Sequence, residues 1–175
     1  MKDKVNKIVS IMNQIEYGFK DSSGQNIIND LSKWDNEFNK FYYLQTPDEL
    51  LVSKCGVCWD QVELERELFS DNNINFKTYF IYIIDNDMLP SHTFLVYNDD
   101  KKYYWFEHSW GEYRGIHEYN SIKNLFDDVI CKFKNSHKEV SDNSKAFLYE
   151  YERPKYHIGC DEFYKYIETQ KLIDF

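Results

Sequence analysis

The 175-residue sequence predicts an α+β fold, with helices first, an antiparallel sheet next, and a helix, a strand and a helix to close. Three observations predict it. Apolar residues recur at helical spacing up to about residue 69. Between Phe76 and Glu107 the pattern changes to runs of aromatic and β-branched residues. Helical spacing then returns at Ser121. The length suits one domain spanning 1–175.

Each element has a local reason. Val5, Ile8, Ile11, Met12 and Ile15 lie on one helical face over residues 3–16. Tyr17-Gly18 and Ser22-Ser23-Gly24 end that helix. Ile27, Ile28, Leu31, Trp34, Phe38 and Phe41 form a second helical stripe, a core-facing pattern. Thr46-Pro47-Asp48-Glu49 starts a short helix over 47–53: Thr46 caps, Pro47 suits the first turn, and Glu49 completes a capping box. Lys54-Cys55-Gly56-Val57 breaks it, and a further helix runs from Cys58 to Phe69. Phe76–Ile84, Ser91–Tyr97 and Lys102–Glu107 are expected strands, with turns at Asp85-Asn86-Asp87 and Asn98-Asp99-Asp100-Lys101. A helix over 121–133, a strand over 146–151 and a helix capped by Asp161 that holds Phe163, Tyr164, Ile167 and Leu172 complete the expectation.

Composition narrows the function. The net charge of −9 argues against nucleic acid as a partner, because phosphate binding needs a basic stripe. No stretch approaches the roughly 18 apolar residues of a membrane span, and no signal peptide follows the basic start. The expected location is the cytoplasm, where Cys55, Cys58, Cys131 and Cys160 stay reduced.

The chemistry centres on Cys58, His92 and Glu107. Cys58 sits where a loop meets a helix N-terminus, and the exposed N–H groups there favour a thiolate. His92 follows Pro90-Ser91 at a strand start. A turn at Asp99-Asp100 pairs Asn98 with Lys101 and Tyr97 with Lys102. That register sets His92 directly across from Glu107, with Cβ atoms about 4.5–5.5 Å apart. It also sets Phe94 against Trp105 and Val96 against Tyr103. Glu107 then fixes the imidazole, which takes the proton of Cys58, and the thiolate attacks a carbonyl. His108 points to the opposite face of its strand. Gln45 offers no geometric ground as an oxyanion donor.

The segments Gly56-Val57-Cys58-Trp59, Ser91-His92-Thr93-Phe94-Leu95-Val96 and Tyr104-Trp105-Phe106-Glu107, followed by Ser109-Trp110, resemble the transglutaminase-like cysteine superfamily, a branch of the papain-like architecture. The resemblance covers about residues 47–111. The family's third residue is usually Asp, and Glu107 is longer by one methylene. The resemblance implies a Cys–His–acid centre performing acyl-thioester chemistry without cofactor or metal. It implies a peptide, a protein or an amide-containing small molecule as partner, with hydrolysis or acyl transfer to an amine as the outcome. Trp59 and Trp110 would wall an acyl groove, with the core as the other place for Trp59.

Three other readings compete. Cys55-Gly56-Val57-Cys58 is a C-x-x-C, as in thioredoxin-like oxidoreductases, although a helix start precedes it where that fold needs a strand. Zinc would need a second ligand pair, and Cys131 and Cys160 are isolated. A papain-like scaffold can also serve as a non-catalytic binding module.

Overall fold

The structure is a computed structural model that describes residues 1–28, 30–84, 89–99, 101–137, 141 and 144–174, apart from the side chains of Leu31 and Asp35. Helix α1 (Lys2–Met12) buries Val5, Ile8 and Met12, one side of its apolar stripe. Three two-residue strands follow: β1 (Glu16–Tyr17), β2 (Phe19–Lys20) and β3 (Asn26–Ile27). Ile27 therefore pairs with Phe19 in a small ladder rather than joining the next helix. Helix α2 (Leu31–Phe41) begins only after Asp30, whose carboxylate accepts the Lys33 N–H. In α3 (Pro47–Ser53) the expected capping box is present: Thr46 Oγ1 accepts from Glu49 N at 3.2 Å, and Glu49 Oε2 accepts from Thr46 N at 2.8 Å.

Lys54 adopts a left-handed conformation (φ 55°), which turns the chain out of α3 into β4 (Cys55–Gly56). Strand β4 pairs in parallel with β1, Glu16 beside Cys55 and Tyr17 beside Gly56. Two glycines allow this approach. A Cβ on Gly18 would stand 2.3 Å from the Ile27 carbonyl oxygen, and one on Gly56 would stand 2.6 Å from Leu50.

Helix α4 (Cys58–Asp71) follows. Every residue from Cys58 to Arg66 is buried, including Asp60, Gln61, Glu63, Glu65 and Arg66. Burying ions in this way requires partners. Arg66 Nε meets Glu63 Oε2 at 3.1 Å, and its Nη2 donates to Thr78 Oγ1. Asp60 accepts the Val57 N–H at 2.9 Å and so closes the first turn of the helix.

The expected strands become β5 (Phe76–Ile84), β6 (Ser91–Asn98) and β7 (Tyr103–Glu107). They are joined by β8 (Gly115–Tyr119), which lies outside the expected strands. Helix α5 (Ile122–Ser136), β9 (Lys145–Tyr151), α6 (Cys160–Ile167) and β10 (Lys171–Leu172) complete the chain. The six-stranded sheet has the order β10-β9-β5-β6-β7-β8, and its pairings are antiparallel. At the C-terminal end, Gly159 rather than Asp161 caps α6, because the Glu162 carboxylate accepts the Gly159 N–H. Leu172 leaves the helix and pairs with Tyr149 in the sheet. The expected turn at Asp85-Asn86-Asp87 lies outside the described residues.

The period-two pleat sorts side chains onto two faces. Tyr79, Ile81, Phe94, Val96 and Trp105 pack against α5. Leu95, Tyr97 and Phe106 pack against α1 and α4. Phe80, Tyr149 and Tyr151 meet Trp59 of α4 and Phe163 of α6.

The β6–β7 register differs from the expected one. Val96 pairs with Trp105 and Tyr97 with Tyr104, so each residue of β6 meets a partner two positions later than expected. The cause is Asp99. Its Oδ1 accepts from the N–H groups of Lys101 and Lys102 at 3.0 and 2.9 Å. Its own N–H donates to the Lys102 carbonyl. The turn is thereby centred one residue further along the chain. A two-residue shift preserves facing, so His92 and Glu107 still share a face, now as diagonal rather than direct neighbours.

Candidate active site

Three elements converge on one point. Cys58 is the first residue of α4, His92 the second of β6 and Glu107 the last of β7. All three are buried, at 4 %, 7 % and 3 % exposure. His92 Nε2 lies 2.8 Å from Glu107 Oε2. A diagonal pair on adjacent strands is within reach of a long side chain, and Glu spans it. The same imidazole interacts with the Cys58 side chain, which helps to raise its pKa. With Nε2 taken by Glu107, Nδ1 is the ring nitrogen left to face the sulfur.

Glu107 is held from several sides. Its Oε2 also accepts the Trp105 indole N–H at 3.1 Å. Its Oε1 accepts the Trp110 backbone N–H at 2.8 Å and the Ser109 hydroxyl at 3.2 Å. A carboxylate saturated in this way cannot rotate freely, and it pins the imidazole in turn. Burial lowers the pKa of His92. The negative charge of Glu107 and the hydrogen bonds to Cys58 and Glu107 outweigh it and raise the pKa to about 10. The imidazole is therefore cationic at neutral pH, the state that stabilises a neighbouring thiolate.

His108, the next residue, is the opposite case. It turns to the α4 face, where its Nδ1 meets Gln61 Oε1 at 2.8 Å. Burial, and then the charge of Arg114, lower its pKa to about 4, so it is neutral. Gln61 in turn donates to the Gly56 carbonyl at 2.8 Å, tying β7 to the loop just before Cys58.

Asp60 supports the same loop. Its Oδ1 accepts from Gln45 N at 2.8 Å and from the Tyr42 hydroxyl at 3.1 Å. Burial pushes its pKa up to about 7, against the pull of these hydrogen bonds. The side-chain amide of Gln45 donates to the Cys55 carbonyl at 2.9 Å and accepts from Ser53, so it is engaged away from Cys58.

The two tryptophans part company. Trp59 is 3 % exposed and lies flat on Phe163, centroids 4.1 Å apart. It is a core residue rather than the expected groove wall, because the first turn of α4 is enclosed by α6. Trp110 is half-buried with its ring 5.2 Å from the His92 ring, so it borders the site. On the other side, Tyr164 donates to Ser91 Oγ at 2.7 Å and lines a cleft of about 700 Å³ with Leu89, Cys160 and Lys165.

Cys55 is fully buried. Burial, then the charge of Asp60, raise its thiol to a pKa of about 11. Cys55 and Cys58 are both free thiols. Among the described residues, no group of three or more His, Cys, Asp or Glu side chains is placed to hold a metal ion, and no helix is long and apolar enough to cross a membrane.

Two residues near the centre escaped the sequence reading. Glu65 lies two turns below Cys58 on the same face of α4. Its Oε2 has no hydrogen-bond partner among the described residues. Burial, and then the charge of Glu107, raise its pKa well above the carboxylate range. Tyr17 is brought beside the Cys58 loop by the β1–β4 pairing, and Cys58 is the ionisable group that acts most strongly on its hydroxyl. The signal for Tyr17 was the Gly18 beside it, which marks a close backbone approach as well as a turn. Glu65 carried no signal, since an acid on a helix is ordinarily solvated.

A helix-borne thiol packed on an antiparallel sheet, with imidazole and carboxyl supplied by two adjacent strands, defines a papain-like arrangement. A family model described as "Transglutaminase-like domain" matches residues 2–128. The chain belongs to that family, and the match extends well before the motif region at 47–111. No curated protein matches the chain.

Proposed function

We propose that the protein is a cysteine-dependent acyl-thioester enzyme acting on amide or peptide bonds, with Cys58 as nucleophile, His92 as acid–base and Glu107 as the group that orients and charges His92. The observation that carries this reading is the His92 imidazole bridging the Cys58 side chain and Glu107 inside one buried site.

In the free enzyme, thiolate and imidazolium form an ion pair. The sulfur attacks the carbonyl carbon, an S–C bond forms, and the carbonyl electron pair moves onto oxygen. The Cys58 N–H, at a helix start with no intrahelical acceptor, faces that oxyanion. The intermediate collapses, the C–N bond breaks, and the amine leaves with the proton from His92 Nδ1. Water or a second amine then gives its proton to His92 and attacks the thioester, which releases the acyl group and restores the ion pair. Trp110 borders His92, and Tyr164, which lines the cleft, holds the neighbouring Ser91. A peptide, a protein or an amide-containing small molecule suits these walls, and the free thiols suit a reducing compartment such as the cytoplasm.

The test is acylation by 4-nitrophenyl acetate, followed by mass spectrometry, with water and a primary amine as competing acceptors. One acetyl group should appear on Cys58 at least tenfold faster than on glutathione, and Cys58→Ala should abolish it while leaving the fold intact. Turnover of the thioester by amine in preference to water would identify a transferase, and the converse a hydrolase. A Cys58 no more reactive than glutathione toward both the ester and iodoacetamide would leave the domain as a binding module.

A further inference from the structure

We infer that the Tyr17 hydroxyl is the second hydrogen-bond donor to the oxyanion formed when the Cys58 sulfur adds to a carbonyl. This rests on the acyl-thioester reading above and supplies what that chemistry lacks, a donor opposite the Cys58 backbone N–H.

The placement of Tyr17 is built into the backbone. Tyr17 pairs with Gly56 across the parallel β1–β4 contact, two residues before Cys58. Gly18 holds that contact at a separation no other residue permits, since a Cβ there would also lie 2.7 Å from Cys55 Sγ. The ring is fixed from outside as well. It stacks on Trp34 with planes 2° apart and centroids at 5.7 Å, and Trp34 stacks on Phe38. Tyr17 thus shows an open ring face, 40 % exposed, while its hydroxyl feels the Cys58 side chain more than any other charged group.

The chemistry suits a donor. Burial, and then the neighbouring Cys58, hold the phenol well above its ordinary pKa of 10.0, so it keeps its proton throughout the working range. In the resting pair this O–H donates to the thiolate. When the S–C bond forms, the sulfur loses its charge to the carbonyl oxygen, which is then only one bond further from it. A donor already aimed at the sulfur follows the charge with a small shift and no reorganisation of the fold. The proton stays on Tyr17 throughout, and the leaving amine still takes its proton from His92.

The experiment compares two reactions of the same thiol in Tyr17→Phe, which keeps the ring and its stack. Acetylation by 4-nitrophenyl acetate passes through an oxyanion, whereas alkylation by iodoacetamide does not. The expected result is acetylation slowed by about 10²-fold, in the range for loss of one oxyanion donor, with alkylation within about threefold of wild type. Equal slowing of both reactions would overturn the inference and make Tyr17 a positioning residue for the thiolate, and an unchanged acetylation rate would overturn it outright. If wild type fails to acetylate while iodoacetamide still labels Cys58 rapidly, the acyl reading itself fails and the oxyanion role falls with it. Incorporation of 3-fluorotyrosine at position 17, which retains the hydroxyl, should hold acetylation at or above the wild-type rate. A loss there equal to that of Tyr17→Phe would count against the donor.

Discussion

The two faces of the sheet are stabilised in different ways. On one face lies α5, an amphipathic helix whose Leu125, Phe126, Val129, Ile130 and Phe133 turn inward onto a layer of aliphatic and aromatic side chains. On the other lies α4, enclosed on every side over its first nine residues and carrying acids, an amide and an arginine into the interior. The α5 face gains stability from area removed from water. The α4 face must first offset the desolvation of its polar groups, and several buried atoms there have no hydrogen-bond partner among the described residues: Glu63 Oε1, Glu65 Oε2, Thr93 Oγ1 and His108 Nε2. The difference teaches where the fold stores stability and where it uses it to hold buried polar groups in an unfavourable setting.

Three substitutions break or sharpen this contrast. The largest effect is expected at the site. Glu107→Gln keeps the size of the acid but removes its charge, and acylation of Cys58 should fall by about 10³–10⁴-fold. The sign of its pH effect is fixed. Glu107 raises the pKa of His92 to about 10, so wild-type kcat/KM should fall on the alkaline side as that proton leaves. The variant's alkaline limb should move to lower pH, as its pH–rate profile would show. An unchanged limb would mean that another group sets it.

Next comes Leu125→Ala in the apolar layer under α5. Leu125 is 0 % exposed, so truncation should cost about 2–5 kcal/mol. Urea unfolding would measure this, and the acylation rate per folded molecule should stay near wild type. A loss of rate larger than the loss of folded protein would show that the α5 layer is coupled to the site.

The smallest effect, and the one of opposite sign, is expected for Glu65→Gln. A carboxyl whose folded pKa is raised binds more protons folded than unfolded. Its penalty is absent below about 4.5, its ordinary value, and grows as pH rises above that. The variant should therefore be more stable than wild type at pH 7 and indistinguishable from it at pH 4. Melting temperatures at the two values check this, and destabilisation at pH 7 would show that the ionised acid has a favourable partner.

Two histidines near the site are held in opposite charge states. His92 of β6 is held cationic by Glu107, and His108, just after β7 and turned to the α4 face, is held neutral by burial and Arg114. Alternation sets Glu107 and His108 on opposite faces of the sheet, and that alternation is legible in sequence. The opposite shifts are not, because they depend on groups that lie far along the chain.

The sequence by itself determined what is local or periodic. Thr46 and Glu49 cap α3 whatever surrounds them, the stripe on α5 follows from helical spacing, and β5 begins and ends where its aromatic and β-branched run does. Parity along the strands is also local, so Glu107 stays on the face of His92 even though Asp99 shifts the turn. Only the tertiary structure decided the actual register, the burial of Trp59 under α6, the strand formed by Gly115–Tyr119, the isolation of Glu65 and the arrival of Tyr17 at Cys58. Each of these depends on a contact between segments distant in the chain, whose geometry is set by packing and by which polar groups are cut off from water. Neither is encoded in any short window of residues.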